Sequence, residues 1–323
     1  MSKPVPIRDL TRVLGPSLDD PKESDGTRWN LDEVVAALRL SRDVTHNIRH
    51  RGRLRPPPSR EAIVNALTGF AAALFPAHYG QPGLTSETID YFVGATLNTA
   101  LTTLAEQVKR SLPFALHEDR SEEDLHRDAQ YITHAFAGEL PAIRGLLVSD
   151  IQAAYHGDPA ATGHSEILLV YPGLTAVIHY RIAHALHRLG ATFLARLITD
   201  IAHSRTGIDI HPGAQIAGSF FIDHGTGVVI GETTVIGERV RLYQAVTLGA
   251  RSFPADEQGA LIKGNPRHPI IEDDVVIYAG ATVLGRVTIG RGSSIGGNVW
   301  LTHDVPPGST ITQAHSRTTG RNE

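Results

Sequence analysis

Three short motifs give the chain residue types that can move a proton near neutral pH. "SFFIDHGTGVVIGET", residues 219–233, sets Asp223 directly before His224 in a run built largely of apolar residues and glycines. "DIHPG" upstream contributes Asp209 and His211, and "PRHP" downstream contributes Arg267 and His268. An acid beside an imidazole fixes its tautomer and raises its basicity, which is what a general base needs to take a proton from an alcohol. Asp209 precedes His224 by 15 residues, close to one 18-residue turn of the repeat described next, so the two are expected on neighbouring turns. His211 and His303 are read as structural histidines.

The residues that must position these groups follow a period of six. From Ile271, aliphatic residues recur at Ile277, Val283, Ile289, Ile295 and Leu301, and small or apolar residues recur four places after each, at Val275, Ala281, Val287, Ser293, Val299 and Val305. An earlier block has the same period at Ile210, Ile216 and Ile222 and, after a two-residue slip, at Ile230, Ile236, Leu242 and Leu248. Six residues suit one short strand and a corner, and three such units make a triangular coil whose aliphatic residues stack on those of the next coil. The expected fold is a left-handed parallel β-helix over residues 207–310, one of the rare exceptions to right-handed crossover. Gly231, Gly237, Gly249, Gly290 and Gly296 fall at corners that need positive φ or a close backbone approach. The array is broken once, by a loop over residues 250–269 that ends in Arg267 and His268; a long loop on a rigid support is a common way to place reactive groups.

Before residue 207 the period is helical. "LDEVVAALRL" from Leu31, "REAIVNALTGFAAALF" from Arg60 and the stretch from Ser86 to Leu112 carry apolar residues three and four apart. Ser121 followed by Glu122, Glu123 and Asp124 marks a helix start. Further helices are expected through "PAIRGLLVSDIQAAYHG", "LTAVIHYRIAHALHRLG" and "TFLARLITDIAHSRTG", the last two closing at glycines suited to the left-handed C-terminal position. The expected architecture is therefore an α + β solenoid: an all-helical N-terminal domain, residues 1–206, the β-helix, and a short tail, residues 311–323. The arginine-rich "NIRHRGRLRPPPSR", residues 47–60, reads as an exposed, proline-stiffened linker.

Composition narrows the classes. The 323 residues are 41% hydrophobic and 20% charged with a formal charge of -4, which gives no general reason to expect a nucleic-acid or anionic-membrane partner. There is no cysteine, and the only methionine is Met1, so no disulfide, thiolate nucleophile or cysteine-held metal is available. This suits a reducing cytoplasm and a protein made when sulfur is short. The N-terminus lacks the apolar core of a signal peptide, and no apolar run approaches the roughly 20 residues that span a bilayer.

With these residues in place, the chain resembles the serine O-acetyltransferases of the hexapeptide-repeat acyltransferase superfamily. The likeness runs from about Ser149 to about Val305 and is carried by "GDPA", "YRIAHAL", "DIHPGAQI", "IDHGTGVVIGET", "VTLGA", "PRHP" and "IYAGATVLG". The longer "ARSFPADEQGALIKGNPRHP" loop resembles a branch with a longer helical N-terminal domain. The resemblance implies acetyl transfer from acetyl-CoA, as co-substrate, to the hydroxyl of L-serine, a step of cysteine biosynthesis. It implies His224 as general base, Asp209 as its orienting acid and His268 as a second imidazole near the reacting carbonyl. Asp158 and Asp223 would hold the serine ammonium and Arg267 its carboxylate, with backbone groups around Ala279 and Gly297 binding the coenzyme's pantetheine arm. No metal is required. A homotrimer or dimer of trimers is implied, with sites at the subunit seams. The chain stops at "TGRNE" rather than in a tail finishing with isoleucine, so no complex with cysteine synthase is expected; it also departs from the family pattern at the nucleotide end of the coenzyme site, where no "PA" followed by a basic residue comes after Pro307.

Two rivals share the scaffold. One is transfer to another hydroxyl, of homoserine or a sugar, because one methylene changes binding by only about 1–3 kcal/mol. The other is a zinc hydratase like the γ-class carbonic anhydrases, which needs three converging histidines; His211, His224 and His268 are the available ones, and their spacing does not match.

Overall fold

The computed structural model describes residues 31–42, 55–116, 120–252, 256, 259, 261, 262 and 264–313. The chain divides into two compact units, residues 1–54 and 55–323. In the first, the described segment is helix α1 (Leu31–Leu40), which opens on Asp32 and Glu33, closes on Arg39 and buries none of its residues.

The second unit begins with seven helices: α2 (Arg60–Leu74), α3 (Pro76–Tyr79), α4 (Ile89–Leu116), α5 (Glu122–Gly157), α6 (His164–Val170), α7 (Pro172–Arg188) and α8 (Thr192–Thr206). Ser59 and Ser121 cap α2 and α5 by accepting from the N–H of Ala62 and Asp124, satisfying donors that a helix start leaves open. The stretches expected from Ser121 and from Pro141 are one 36-residue helix. Its buried stripe, Ile132, Phe136, Leu140, Ile143, Leu147 and Ile151, keeps its three- and four-residue spacing across Pro141, so packing outweighs the N–H that proline removes. Gly207 ends α8 in the left-handed region at φ 70°.

Fourteen short strands follow and coil as a triangular prism. Face A stacks β1 (Asp209–Ile210), β4 (Val229–Ile230), β7 (Thr247–Gly249), β10 (Thr282–Leu284) and β13 (Trp300–Leu301). Face B stacks β2 (Gln215–Ile216), β5 (Val235–Ile236), β8 (Ile270–Ile271) and β11 (Thr288–Ile289). Face C stacks β3 (Phe221–Ile222), β6 (Arg241–Leu242), β9 (Val276–Ile277), β12 (Ser294–Ile295) and β14 (Thr310–Ile311). All pairs are parallel, and the six-residue positions stack in columns, as in Ile210 on Ile230 on Leu248 on Val283 on Leu301. Every residue of that column is buried. The two-residue slip is a longer corner at residues 223–228, and β14 carries the solenoid one residue past its expected end.

Of the two reasons expected for the five corner glycines, close approach is the one that applies to all of them. Gly231, Gly237, Gly249, Gly290 and Gly296 all lie outside the positive-φ set; each sits where an added methyl would crowd a neighbouring coil or loop. The left-handed corners belong instead to Ser219, His224, Arg239, Ala245, Asp274 and Asn298 among others.

Secondary structure changes type at residue 207, as expected, but one hydrophobic cluster runs from Ile63 in α2 to Val305 in the last coil. Helices and first coil are joined by a buried ion pair. Arg181 of α7 donates from Nε and Nη2 to both oxygens of Asp150 of α5, at 3.1 and 3.0 Å, and to the carbonyls of Ile216 and Ala217. Asp150 also accepts the Phe220 N–H, and Ser149 accepts that of Ser219. Burial pushes the Asp150 carboxyl upward, and the Arg181 guanidinium pulls it back. The described end of the arginine-rich stretch is tied down rather than a linker: Arg55 bonds to Glu122 and the Arg120 carbonyl, and Arg60 to Asp200 and Ser204. Residues 47–54 of that stretch, and the tail from 314, lie outside the described residues.

Cutting one side of the buried pair leaves an uncompensated charge, so Arg181→Met is expected to cost about 3–5 kcal/mol, read by urea unfolding at fixed protein concentration. Adding Asp150→Leu is expected to leave much of that loss in place, because the Phe220 N–H and the Ile216 and Ala217 carbonyls stay unpaired.

Candidate active site

The sequence-derived site residues fall on two different corners of the prism. At the corner joining faces C and A, His224 follows β3 and takes φ 56°, a left-handed conformation uncommon for a side chain with a Cβ. Its side chain is 73% exposed and its Nε2 lies 3.8 Å from Oδ1 of Asp223, which is 16% exposed. The corner rests on the end of α8: the Gly227 N–H bonds to the Gly207 carbonyl, so Asp209, two residues on, enters face A beside it. Among the described residues, no hydrogen bond joins Asp209 to His224; the carboxylate in reach of the imidazole is Asp223.

Helix α5 delivers Asp158 to the same corner as its C-terminal cap. Asp158 accepts from the Tyr171 hydroxyl at 2.5 Å and the Ala160 N–H at 2.8 Å. The Tyr171 bond, then the Ala160 bond, hold its carboxyl below the usual range, and the field of His224 adds to this. Tyr171 in turn stacks on Phe221 of β3, and burial followed by the bond to Asp158 pushes its phenol upward. Ala279 and Gly297 lie on this same edge two and three coils along, where the Asn298 N–H bonds to the Ala279 carbonyl at 2.9 Å.

The corner joining faces A and B holds the other set. The inserted loop brings Arg267 and His268 back onto "GET", residues 231–233. Arg267 pairs with Glu232 at 2.5 Å. His268 is buried, and its Nδ1 lies 2.9 Å from Thr233 Oγ1 and 3.1 Å from the Thr233 N–H. Burial, then the charge of Arg267, pushes His268 down to about 4, against the opposing pull of Glu232. His211 shares the corner, accepts the Gly213 N–H at Nδ1 and is likewise pushed to about 4, chiefly by burial.

One face of the prism therefore separates His224, Asp223, Asp158 and Asp209 from Arg267 and His268 within a single chain. Neither His224 nor His268 lines the groove of about 740 Å³ beside α2 and α4 or the groove of about 810 Å³ along face B beside α7. Among the described residues no group of three His, Cys, Asp or Glu could hold a metal; His224 stands on a different corner from His211 and His268. Reading the sequence missed Tyr171, Glu232 and Thr233. Of these, only Glu232 carried a signal, as a charge inside "VIGET" beside the apolar columns.

A family model described as bacterial transferase hexapeptide (six repeats) matches residues 268–303. A Synechococcus elongatus protein named serine acetyltransferase, plasmid, is 57% identical over 297 residues, 90% of this chain and 92% of its own length. The chain belongs to the serine acetyltransferase family. A Bacillus licheniformis serine acetyltransferase is 49% identical over 166 residues, 51% of this chain and 73% of that protein. The crystal structure of Entamoeba histolytica serine acetyltransferase 1 in complex with L-cysteine matches with a TM-score of 0.68 at 37% identity, covering 82% of this chain and 89% of that one. The parallel prism is thus the left-handed β-helix of the hexapeptide-repeat transferases, preceded here by helices. Among the described residues, no helix is long and apolar enough to cross a membrane.

In a serine acetyltransferase built this way, Gly231 is the floor under the His268 ring: a methyl there would collide with the imidazole. Its φ is not positive, so alanine costs the backbone little. If His268 takes part in the reaction, Gly231→Ala is expected to lower turnover about a hundredfold, the scale of displacing one placed group, with an unchanged far-ultraviolet circular dichroism spectrum. Thiol release and dichroism on the same sample check this.

Proposed function

We propose that the chain transfers the acetyl group of acetyl-coenzyme A to the hydroxyl of L-serine by direct attack, at a site assembled from two corners of neighbouring protomers. The observation that carries this is the split of the site residues. The corner between faces C and A has a base and carboxylates; the corner between faces A and B has a guanidinium and a buried imidazole. A zwitterionic acceptor needs both. A trimer of prisms apposes one kind of corner with the other at each seam, and complementary corners are a reason for a closed ring.

In this arrangement the His224 imidazole takes the serine hydroxyl proton while the oxygen attacks the thioester carbonyl carbon. The tetrahedral intermediate collapses with cleavage of the C–S bond, and the coenzyme A thiolate leaves with the proton from His224. Asp209 and Asp223 are the carboxylates beside His224. Asp158 and Asp223 hold the substrate ammonium, Arg267 its carboxylate, and His268 lies at the reacting carbonyl. Ala279 and Gly297 share an edge with His224, which supports a pantetheine arm running along that edge toward the base.

The acceptor assignment is supported by the Entamoeba relative's complex with L-cysteine, which differs from L-serine by one atom. A sugar would bring no ammonium to Asp158 and no carboxylate to Arg267, a loss that hydrogen-bonded sites penalise heavily. Thiol release with a panel of L-serine, homoserine and sugars tests the reading; L-serine is expected to give the highest kcat/KM, and preference for a sugar would sink it. His224→Ala is expected to lower turnover by about two to four orders of magnitude while sedimentation stays that of the parent.

Tyr171→Phe gives a second check. Asp158 must be ionised to hold an ammonium, so it works above its pKa, and the Tyr171 hydroxyl lowers that pKa. Removing the hydroxyl moves the pKa up, and the acidic limb of kcat/KM for serine is expected to move to higher pH. Losing a hydrogen bond to a charged group, about 1.5–3 kcal/mol, raises the KM for serine about tenfold or more at little cost to kcat. An unmoved limb and an unchanged KM would remove Asp158 from the ammonium site.

A further inference from the structure

The hydrogen-bond inventory around Thr233 determines which nitrogen of His268 carries the proton. The Thr233 hydroxyl has two lone pairs and one proton. Both lone pairs are taken, by the backbone N–H of Arg267 at 2.9 Å and of His268 at 3.1 Å. Its proton is therefore the one that points along the 2.9 Å contact to His268 Nδ1. The Thr233 N–H also points at Nδ1, at 3.1 Å. Two donors converge on Nδ1, so Nδ1 is an acceptor and the neutral ring bears its hydrogen on Nε2.

From this we infer that Thr233 is a positioning residue that locks His268 as the Nε2–H tautomer, making His268 a hydrogen-bond donor to the developing oxyanion and not a second base. This rests on the acetyl-transfer reading above and assigns the two histidines opposite tasks within it. His224 stands exposed on its corner and accepts the substrate proton. His268, among the described residues, makes no hydrogen bond through Nε2, and the Cδ2–Nε2 side of its ring lies nearest to Gly231. As the thioester carbonyl carbon becomes tetrahedral, its π electron pair moves onto oxygen, and the fixed N–H donates to that oxygen without transferring its proton. The single proton in flight passes from the serine hydroxyl to His224 and on to the coenzyme thiolate. The depressed basicity of His268 suits a group that keeps its proton on Nε2 and takes up no other.

The test uses the full chain and thiol release from acetyl-coenzyme A with L-serine. Glutamine places an amide N–H at about the reach of Nε2 but offers no basic nitrogen, so His268→Gln is expected to turn over at least about tenfold faster than His268→Leu, within the hundred- to thousandfold range of one oxyanion donor. The acidic limb of kcat is expected to be the same in His268→Gln as in the parent. Thr233→Val removes the hydroxyl and is expected to lower kcat about tenfold with both KM values within about twofold, and Thr233→Ser is expected to restore it to within about twofold. A purely structural anchor would instead raise the KM for serine, because Arg267 hangs on the same hydroxyl.

Equal turnover of His268→Gln and His268→Leu in an otherwise active enzyme would overturn the inference, as would parental kcat in Thr233→Val. Should Thr233→Val fail to fold, the glutamine–leucine comparison decides by itself. A parent chain inert toward every acceptor would overturn the acetyl-transfer reading and this inference with it, whereas the other failures leave that reading standing.

Discussion

The parallel ladder between successive coils is the constraint on which the rest depends. Each two-residue strand hydrogen-bonds to the strands above and below it, and each interior column places aliphatic on aliphatic. A shift of one residue would turn a column outward, so the register is held along the whole prism. The corners inherit this precision. Any side chain that leaves a corner does so from a backbone fixed on both flanks, which is the support a reactive group needs if its geometry is to hold within a fraction of an ångström.

Three corners also impose a separation. Groups on different corners of one prism cannot meet across its packed interior, so a bifunctional site for a zwitterion has to be completed from outside the chain. The two corners are chemically unlike in a way that fits this. The corner between faces C and A gathers Asp158, Asp209 and Asp223 around an exposed imidazole, while the other buries its imidazole under Arg267 and Arg286, the latter donating to the carbonyls of Thr233 and His268. Helix α5 contributes to the first corner only because Asp150 and Ser149 lock it to residues 219 and 220. That buried pair is thus a positioning device for Asp158 as well as a tie between helices and solenoid.

How much of this could be read from the sequence follows from the range of each interaction. The six-residue columns were legible because every coil repeats the same burial, and all six residues from Ile271 to Leu301 are buried. Helix ends at Ser121 and Gly207 were legible because caps are local. The glycines were placed correctly at corners, but close approach and positive φ leave the same letter in the sequence; Gly231 is explained only by His268, 37 residues away, landing on it. Tyr171 and Thr233 were not legible for the same reason. Their partners, Asp158 and His268, come from a helix cap and a long loop, and nothing local in "VYPG" or "IGETT" announces them. The pairing of Asp209 with His224 rested on turn spacing and on the family resemblance; the structure puts Asp223 beside the ring and Asp209 beside the corner.

On the reading proposed above, two histidines serve one site and must be told apart, since identical basicity would let either take the wrong proton. Environment does this here without a second residue type. His224 occupies a left-handed corner, largely exposed to solvent, with the Asp223 carboxylate near its ring. His268 is stripped of water, faces two guanidinium groups and receives donors at Nδ1, each of which disfavours a further proton. Giving like groups unlike environments is the general means by which one site assigns acid and base work to them. The short hydroxyl of Thr233 is sufficient for the assignment at His268 because it has one hydrogen, and both of its lone pairs are already spent on the backbone that carries the ring.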